Sequence, residues 1–202
     1  MSEFTAAQRH LRRADPVLAQ IIDRLGDCTL QPERRYFATL VEAILSQQLS
    51  VKAAATIHAR LKNLLRGRIN AQGILQLTDA QIRAAGISRQ KTSYLRDLAA
   101  KWQNGLLHGR RLARLSDEEV IAALTRVKGI GRWTAEMFLI FSLGRLDVLP
   151  VDDLGFRQAV QQAYRLRKLP DARRLQQLAG KWRPYRSVAT WYLWQSLDNK
   201  PR

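Results

Sequence analysis

The 202-residue sequence has few of the residues from which disulfides and metal centres are built. Its single cysteine, Cys28, excludes a disulfide within the chain, a thiolate zinc site and a cysteine-ligated iron–sulfur cluster. The three histidines are scattered and form no His-x-x-x-His pair, which argues against a histidine-rich metal site. We therefore expect that the protein requires no cofactor of these kinds.

Long apolar runs and flexible segments are also missing. No run approaches the roughly 18–20 apolar residues that cross a bilayer, and residues 1–15 lack the apolar core of a signal peptide. We expect no membrane association and an intracellular location, which would be the cytoplasm and nucleoid in a bacterium. No stretch resembles a linker, so the length suits one large domain or two small lobes.

Acidic residues are scarce relative to basic ones. Lys and Arg number 34 against 17 Asp and Glu, which gives a net charge of +17 and a pI near 11.1. The hydrophobic fraction of 46% is ordinary for a globular protein and too high for a disordered basic tail. Nucleic acid is the first candidate partner, because neutralised phosphates release counterions and drive binding. The alternative is a basic surface that only maintains solubility.

The spacing of apolar residues is helical almost throughout, and alternating strand patterns are scarce. Asp15 followed by Pro16 is typical of a helix start, and Ser116 with Glu119 fits a capping box. We therefore predict an all-α protein. The predicted helices cover about residues 16–26, 33–45, 50–61, 78–86, 88–105, 116–127, 132–143, 153–164, 171–182 and 184–197.

The most specific local motif is Val-Lys-Gly-Ile-Gly-Arg-Trp-Thr-Ala over residues 127–135, between two predicted helices. Gly129 and Gly131 permit a tight turn with positive φ and leave the backbone uncovered. Their amides, at the start of a helix, would form an anion site, with Ile130 packed between the helices. The alternative is a helix connection without a ligand. Three basic residues surround the turn: Arg126, Lys128 and Arg132.

A weak echo of this motif occurs earlier in the chain. Residues 85–89 read Ala-Gly-Ile-Ser-Arg and again place Gly-Ile between two predicted helices. For this copy we favour two ordinary helix ends stopped by glycine over a second anion site.

An acidic pair follows the motif by about twenty residues. Pro150 breaks the chain, Asp152 suits the N-cap of the next helix, and Asp153 is expected in its first turn. The helix dipole favours a negative charge at both positions. Plain capping is the favoured interpretation of Asp152, whereas the role of Asp153 stays open on these grounds.

Aromatic residues are concentrated near the end of the sequence. On a helix that starts at Pro184, Tyr185 and Tyr192 share one stripe, and Trp191 and Trp194 project on the opposite side. A helix that is aromatic on two faces is either fully buried or lines a cleft, and full burial is the more frequent case.

These motifs together resemble the helix-hairpin-helix superfamily of DNA base-excision glycosylases, and most closely its 3-methyladenine DNA glycosylase II branch. The resemblance extends over about residues 36–197 and rests on segments 44–50, 127–135, 152–153 and 182–194. It implies two helical lobes that flank a DNA-binding cleft. Residues 36–145 would form the lobe with the helix-hairpin-helix, and residues 1–35 plus 146–202 would form the second lobe.

The resemblance also implies an activity: a monofunctional DNA glycosylase of base excision repair. Such an enzyme flips alkylated, cationic bases such as 3-methyladenine and 7-methylguanine out of double-stranded DNA and hydrolyses the N-glycosidic bond. Asp153 matches the catalytic aspartate, while Trp133, Met137 and Trp194 match the base pocket. Met137 stands where an enzyme of this branch has tyrosine, so the pocket shape and substrate range stay open.

The resemblance assigns DNA contacts to two further segments. The residue that fills the gap left by the flipped base would come from residues 47–49, here called the wedge loop, with Gln48 favoured and Leu49 next. Backbone carbonyls of Thr125, Val127 and Ile130 match those that bind a structural Na⁺ or K⁺. The remaining DNA contacts would be Lys128, Gly129, Ile130, Gly131 and Arg132.

One departure from the family pattern bears on the reaction. Bifunctional members carry a nucleophilic lysine where this chain has Trp133, so we expect no strand cleavage by β-elimination. A non-catalytic helix-hairpin-helix DNA-binding protein is the alternative, but it would need neither Asp153 nor an aromatic pocket. We expect the protein to act on DNA as a monomer.

Overall fold

The computed structural model describes residues 3–107 and 109–198, and all regular structure in these ranges is helical. The all-α prediction is confirmed. In this part of the chain no helix is both long enough and apolar enough to span a membrane. The helices are α1 (Glu3–Ala14), α2 (Pro16–Leu25), α3 (Tyr36–Ser46), α4 (Val51–Leu64), α5 (Ala71–Gln76), α6 (Asp79–Ala84), α7 (Arg89–Gln103), α8 (Gly109–Leu112), α9 (Asp117–Leu124), α10 (Arg132–Phe141), α11 (Leu154–Ala163), α12 (Ala172–Ala179) and α13 (Arg186–Asp198).

Capping residues determine where most of these helices begin. The Asp15 carboxylate accepts a hydrogen bond from the Val17 amide at 2.9 Å, and α2 ends at Gly26 with φ +76°. Helices α6 and α9 both start with complete capping boxes. The predicted starts near these residues are confirmed. The capping side chains of α4, α6, α7 and α9 are Ser50, Thr78, Ser88 and Ser116.

Three helices were not predicted. Helix α1 is amphipathic and buries a stripe that includes Ala7 and Leu11, but it contains few large apolar residues among many charged ones, so its pattern was overlooked. Helices α5 and α8 span six and four residues, which is too short for a periodic pattern. The helix predicted over 171–182 ends at Ala179, and residues Gly180–Trp182 continue as a 3₁₀ turn.

The chain divides into two compact units, and their boundaries lie within three residues of the boundaries at 36 and 145 that the resemblance suggested. Unit 1 comprises residues 1–32 and 144–202, and unit 2 comprises residues 33–143; residues 1–2, 108 and 199–202 lie outside the described ranges. Each unit has its own apolar core. In unit 1 the core includes Leu11, Leu18, Phe156, Trp182 and Tyr192. In unit 2 the buried residues include Leu40, Ile44, Leu61, Ile74, Leu98, Leu124 and Leu139.

A buried carboxylate joins the two segments that build unit 1. Asp15 is fully buried and accepts hydrogen bonds from Tyr164 Oη and, at 2.8 Å, from Trp182 Nε1. The Lys181 ammonium lies 3.2 Å from the same carboxylate. Burial raises the pKa of Asp15, but the hydrogen bonds from Tyr164, Trp182 and Lys181 outweigh it and hold the pKa below its usual value.

Substitution of Asp15 by alanine should destabilise unit 1 by about 3 kcal/mol, because the helix cap is lost and buried donors lose their acceptor. The lowered pKa means that this contribution is present at neutral pH and is lost as the pH falls below about 4. Urea unfolding at pH 7 and pH 3 measures both effects, and the difference between variant and parent should shrink at pH 3.

Asp23→Ala is the matched control, because Asp23 is 67% exposed and pairs with Arg12 at the surface. It should cost less than about 1 kcal/mol. An Asp15→Ala protein as stable as this control would contradict the role assigned to the buried carboxylate.

Candidate active site and nucleic-acid interface

The glycine motif of unit 2 forms a tight hairpin between α9 and α10, here defined as residues 125–131. Helix α9 ends at Leu124, so the predicted end at Val127 was three residues too late. Gly129 has φ +81°, whereas Gly131 is the extended N-cap of α10 with φ −94°. A positive φ therefore explains why glycine is needed at position 129 but not at position 131. Ile130 is 5% exposed and anchors the turn in the core.

The hairpin leaves two backbone donors at the start of α10. The amides of Gly129 and Gly131 donate to no group in the described part of the chain. The Lys128 amide, in contrast, donates to Asp97 Oδ2 at 2.9 Å. Two amides that have no acceptor in this part of the chain and lie near a helix N-terminus can bind an anion.

The positive charges around the hairpin differ in their surroundings. The Arg132 guanidinium lies 2.6 Å from Glu118 Oε1 and 3.0 Å from Glu136 Oε1, so its charge is balanced within the protein. Arg126 and Lys128 are exposed beside the turn. The local electrostatics thus favour Arg126 and Lys128 over Arg132 as contacts for an anion.

The wedge loop lies directly after α3, also in unit 2. Gln48 is exposed and has φ +55°, a left-handed conformation that costs a non-glycine residue of order 1–3 kcal/mol. Leu49 is 40% exposed. The Gln47 amide Nε2 donates to the Gly129 carbonyl at 2.7 Å, so the wedge loop and the hairpin are in direct contact.

A cavity of about 580 Å³ opens beside the wedge loop in unit 2. Trp133 and Met137, two of the predicted base-pocket residues, line it together with Gln48. Trp133 is 49% exposed, which is unusual for a tryptophan. No charged side chain of the described residues lines this cavity. Its remaining walls include Leu40, Phe138 and Phe141.

Asp153 in unit 1 is the N-cap of α11, and Asp152 lies in the turn before the helix. The prediction that Asp152 caps this helix, with Asp153 in the first turn, was therefore wrong by one residue. Asp153 Oδ1 accepts hydrogen bonds from the Phe156 amide at 2.5 Å and from Trp194 Nε1 at 2.9 Å. The structure thus brings the predicted catalytic aspartate and one predicted pocket aromatic into contact.

The loop that leads to Asp153 is tied to the start of α13. Asp147 forms a two-point ion pair with Arg186, at 2.7 Å to Nε and 3.0 Å to Nη2. The Ser187 hydroxyl accepts from the Val148 amide at 2.9 Å. Sequence reasoning did not single out Asp147. The sequence feature that could have indicated this contact is the Arg-Ser pair at the end of residues 182–187, Trp-Arg-Pro-Tyr-Arg-Ser.

Helix α13 carries the aromatic cluster and begins at Arg186, two residues later than predicted. Tyr185 therefore precedes the helix. Tyr192 is fully buried, whereas Trp191 and Trp194 are half-buried. The prediction of full burial holds for Tyr192 and its neighbour Leu193 but is wrong for these two indoles.

Residues 41–184 match the family model described as "HhH-GPD superfamily base excision DNA repair protein". The chain belongs to this superfamily. The matched HhH-GPD region contains the wedge loop, the hairpin and Asp153, and it ends before Trp194. Within the described residues no group of three or more His, Cys, Asp or Glu side chains could hold a metal ion.

Individual members of the superfamily are similar over nearly the whole chain. DNA-3-methyladenine glycosylase 1 of Schizosaccharomyces pombe is 36% identical, over 97% of this chain and 89% of that protein. The solved structure of the S. pombe 3-methyladenine DNA glycosylase in complex with abasic DNA has a TM-score of 0.83 and 35% identity, covering 96% of this chain and 97% of that one. The crystal structure of DNA-3-methyladenine glycosidase from Bacillus halodurans has a TM-score of 0.87 and 36% identity, covering 94% of this chain and 88% of that one.

Proposed function

We propose that the protein is a monofunctional DNA glycosylase that hydrolyses the N-glycosidic bond of alkylated, cationic bases such as 3-methyladenine and 7-methylguanine in double-stranded DNA. The observation that carries the proposal is Asp153, whose carboxylate oxygen is held by the Trp194 indole and the Phe156 amide at the start of α11. The names of the similar proteins support the same chemistry.

Asp153 would act on the charge that develops during bond cleavage. As the glycosidic bond breaks, the base leaves with the bonding electrons and positive charge grows on the sugar. A carboxylate that faces C1′ stabilises this charge and orients the water that attacks the carbon. An alkylated base leaves as a neutral molecule, so no general acid is needed, and the uncharged cavity beside Trp133 is consistent with this.

Aromatic residues would provide the preference for damaged bases. A cation stacked on an indole gains on the order of 1–2 kcal/mol once it is desolvated, whereas a neutral base gains less. Trp194 in unit 1 is the candidate stacking residue, and Trp133 and Met137 line the cavity of unit 2. Extruding a base costs a few kcal/mol, least for weakened pairs.

Unit 2 would hold the strand and offset this cost. The amides of Gly129 and Gly131 would bind a backbone phosphate, supported by Lys128 and by the net charge of +17. Gln48, with Leu49 next, would occupy the gap in the duplex. We expect the protein to act as a monomer. A DNA substrate also suits an intracellular location, at the nucleoid in a bacterium.

No cofactor is needed for this chemistry, but the hairpin suits a monovalent cation. Thr125 is the C-cap of α9, where the helix dipole is negative, and the carbonyls of Val127 and Ile130 are further neutral oxygens of the hairpin. The Val127 carbonyl accepts one hydrogen bond, from the Ile130 amide at 3.1 Å, and keeps a second lone pair. Na⁺ or K⁺ bound there would keep the hairpin in shape.

A base-release assay on methylated duplexes tests the proposal. The panel should include 3-methyladenine, 7-methylguanine, ethenoadenine and hypoxanthine, with free base and strand breaks measured separately. We expect free methylated bases, with strand breaks only after alkali and no borohydride-trapped adduct, because Trp133 cannot act as an amine nucleophile. Binding without release of any base would favour a non-catalytic DNA-binding protein, and breaks without alkali would indicate a lyase.

A further inference from the structure

One side of α7 contacts both DNA-binding elements of unit 2. Lys91, Tyr94 and Asp97 follow each other at intervals of three residues, so their side chains project from the same side of the helix. Lys91 contacts the wedge loop, and the other two contact the hairpin. We call these three residues the positioning face.

Lys91 holds the C-terminal end of α3, from which the wedge loop departs. Its ammonium donates to the Leu45 carbonyl at 2.7 Å and to the Gln47 carbonyl at 2.8 Å. Carbonyls at this end of a helix have no partner within the helix, and the helix dipole favours a cation there. The side chain is half-buried, and desolvation lowers the pKa of Lys91. The ammonium thus binds the carbonyls at the C-terminal end of α3 instead of forming an ion pair at the surface.

Tyr94 and Asp97 hold the hairpin. The Tyr94 ring lies so close to Gly129 that a Cβ added there would be 2.2 Å from Cδ2, and Gln90 Nε2 donates to the Tyr94 hydroxyl at 2.6 Å. Asp97 accepts from the Lys128 amide at 2.9 Å and from Lys101 Nζ at 2.5 Å. Burial raises the pKa of Asp97, but these hydrogen bonds outweigh it and keep the carboxylate charged.

A third contact joins the wedge loop directly to the hairpin, because Gln47 Nε2 donates to the Gly129 carbonyl at 2.7 Å. The wedge loop and the hairpin are therefore each bonded to α7 and to one another. Displacing one element would therefore strain the hydrogen bonds that hold the other.

The echo of the glycine motif sets where α7 begins. Gly86 has φ +91°, Ile87 is 2% exposed, and Ser88 caps α7 by accepting from the Lys91 amide at 3.3 Å. This turn determines which residues of α7 point toward the wedge loop. Its structural role agrees with the interpretation of ordinary helix ends stopped by glycine.

We propose that the positioning face of α7 holds the wedge loop and the hairpin in a single rigid arrangement, so that phosphate capture and filling of the gap occur as one event. Lys91 is then a positioning residue, which acts through Gln48 and Leu49 without touching the base. This inference rests on the proposed function, because the wedge loop matters only if the protein opens the duplex.

Lys91→Met tests the proposal, since methionine keeps the aliphatic stem and removes both donated hydrogen bonds. The readout is the affinity for a duplex with an abasic site divided by the affinity for an intact duplex, which requires no activity. We expect this preference to fall about tenfold, with intact-duplex affinity within about threefold of the parent. Single-turnover release of 7-methylguanine should fall by a similar factor.

Lys62→Met is the matched control, because it removes the same charge from an exposed position on α4 of the same unit. It should leave the preference for the abasic site unchanged. A Lys91→Met protein with the parent preference, or one that loses affinity for both duplexes in equal proportion, would overturn the proposal. If the parent protein releases no base, the proposed function fails, whereas the binding ratio still tests the positioning face.

A double variant tests whether the two elements are coupled. Gln47→Leu breaks the contact with Gly129 and should also lower the preference for the abasic site. Because both substitutions disrupt one network, Gln47→Leu with Lys91→Met should lose about as much as the worse single variant. Losses that multiply would show that the wedge loop and the hairpin act independently.

Discussion

Replacement of Asp153 by asparagine should reduce single-turnover release of 7-methylguanine at least about 100-fold, while binding to abasic DNA stays as tight or becomes tighter. The loss follows from removing the negative charge that opposes the cationic sugar in the transition state. Affinity is retained because a negative charge is removed from a protein that binds phosphates. Release is measured by chromatography of the free base, and affinity by fluorescence anisotropy.

The fold should survive this substitution. Asparagine is as good an N-cap as aspartate, and its amide oxygen can still accept from Phe156 and Trp194. Asp152→Asn is the matched control, since it removes the same charge from an exposed neighbour and should keep base release within about threefold. Full activity of Asp153→Asn, or an equal loss in Asp152→Asn, would refute the assignment of Asp153.

Substitution of Gly129 by alanine should destabilise unit 2 by about 3 kcal/mol and weaken DNA binding at least tenfold. Alanine at φ +81° costs about 1–2 kcal/mol. Its Cβ would also lie 2.2 Å from Tyr94 Cδ2, and overpacking of this kind adds about 1–3 kcal/mol. Urea unfolding measures the first effect, and anisotropy with an intact duplex measures the second.

Gly131→Ala provides an internal comparison within the same hairpin. An added Cβ at Gly131 has nothing within 4 Å, and the backbone there is extended, so stability should change by less than about 1 kcal/mol. Any loss of DNA affinity in Gly131→Ala would then report on the approach of a phosphate to the amide. Equal destabilisation of the two variants would contradict the geometric distinction between the glycines.

Local signals in the sequence were sufficient for most of the fold. Capping residues such as Ser88 and Ser116, and terminal glycines such as Gly26, act on backbone groups within one turn of their helix. A short segment of sequence is therefore enough to predict where such a helix begins or ends. The resemblance supplied the candidate residues of the site. What it could not supply was the exact cap, since Asp152 and Asp153 are equally suited to the position by chemistry alone.

Contacts between distant parts of the chain were not predictable in the same way. Asp97 and Lys91 lie on a helix whose sequence contains no motif, and their roles depend on segments 31 and 44 residues away. Likewise, Arg132 was expected to support an anion site, yet Glu118 lies against its guanidinium. Such pairings depend on which helices meet, and single-sequence periodicity does not determine that.

The division of the chain between the units has a consequence for synthesis on the ribosome. Residues 33–143 are contiguous, so unit 2 can complete its core as soon as this stretch has emerged. Unit 1 cannot, because Leu11 and Leu18 share a core with Trp182 and Tyr192, which are translated more than 160 residues later. Until these residues are synthesised, the apolar side chains of α1 and α2 that pack against them stay exposed to solvent. A nascent chain that stops before Trp182 would contain a folded unit 2, while the core of unit 1 would be incomplete.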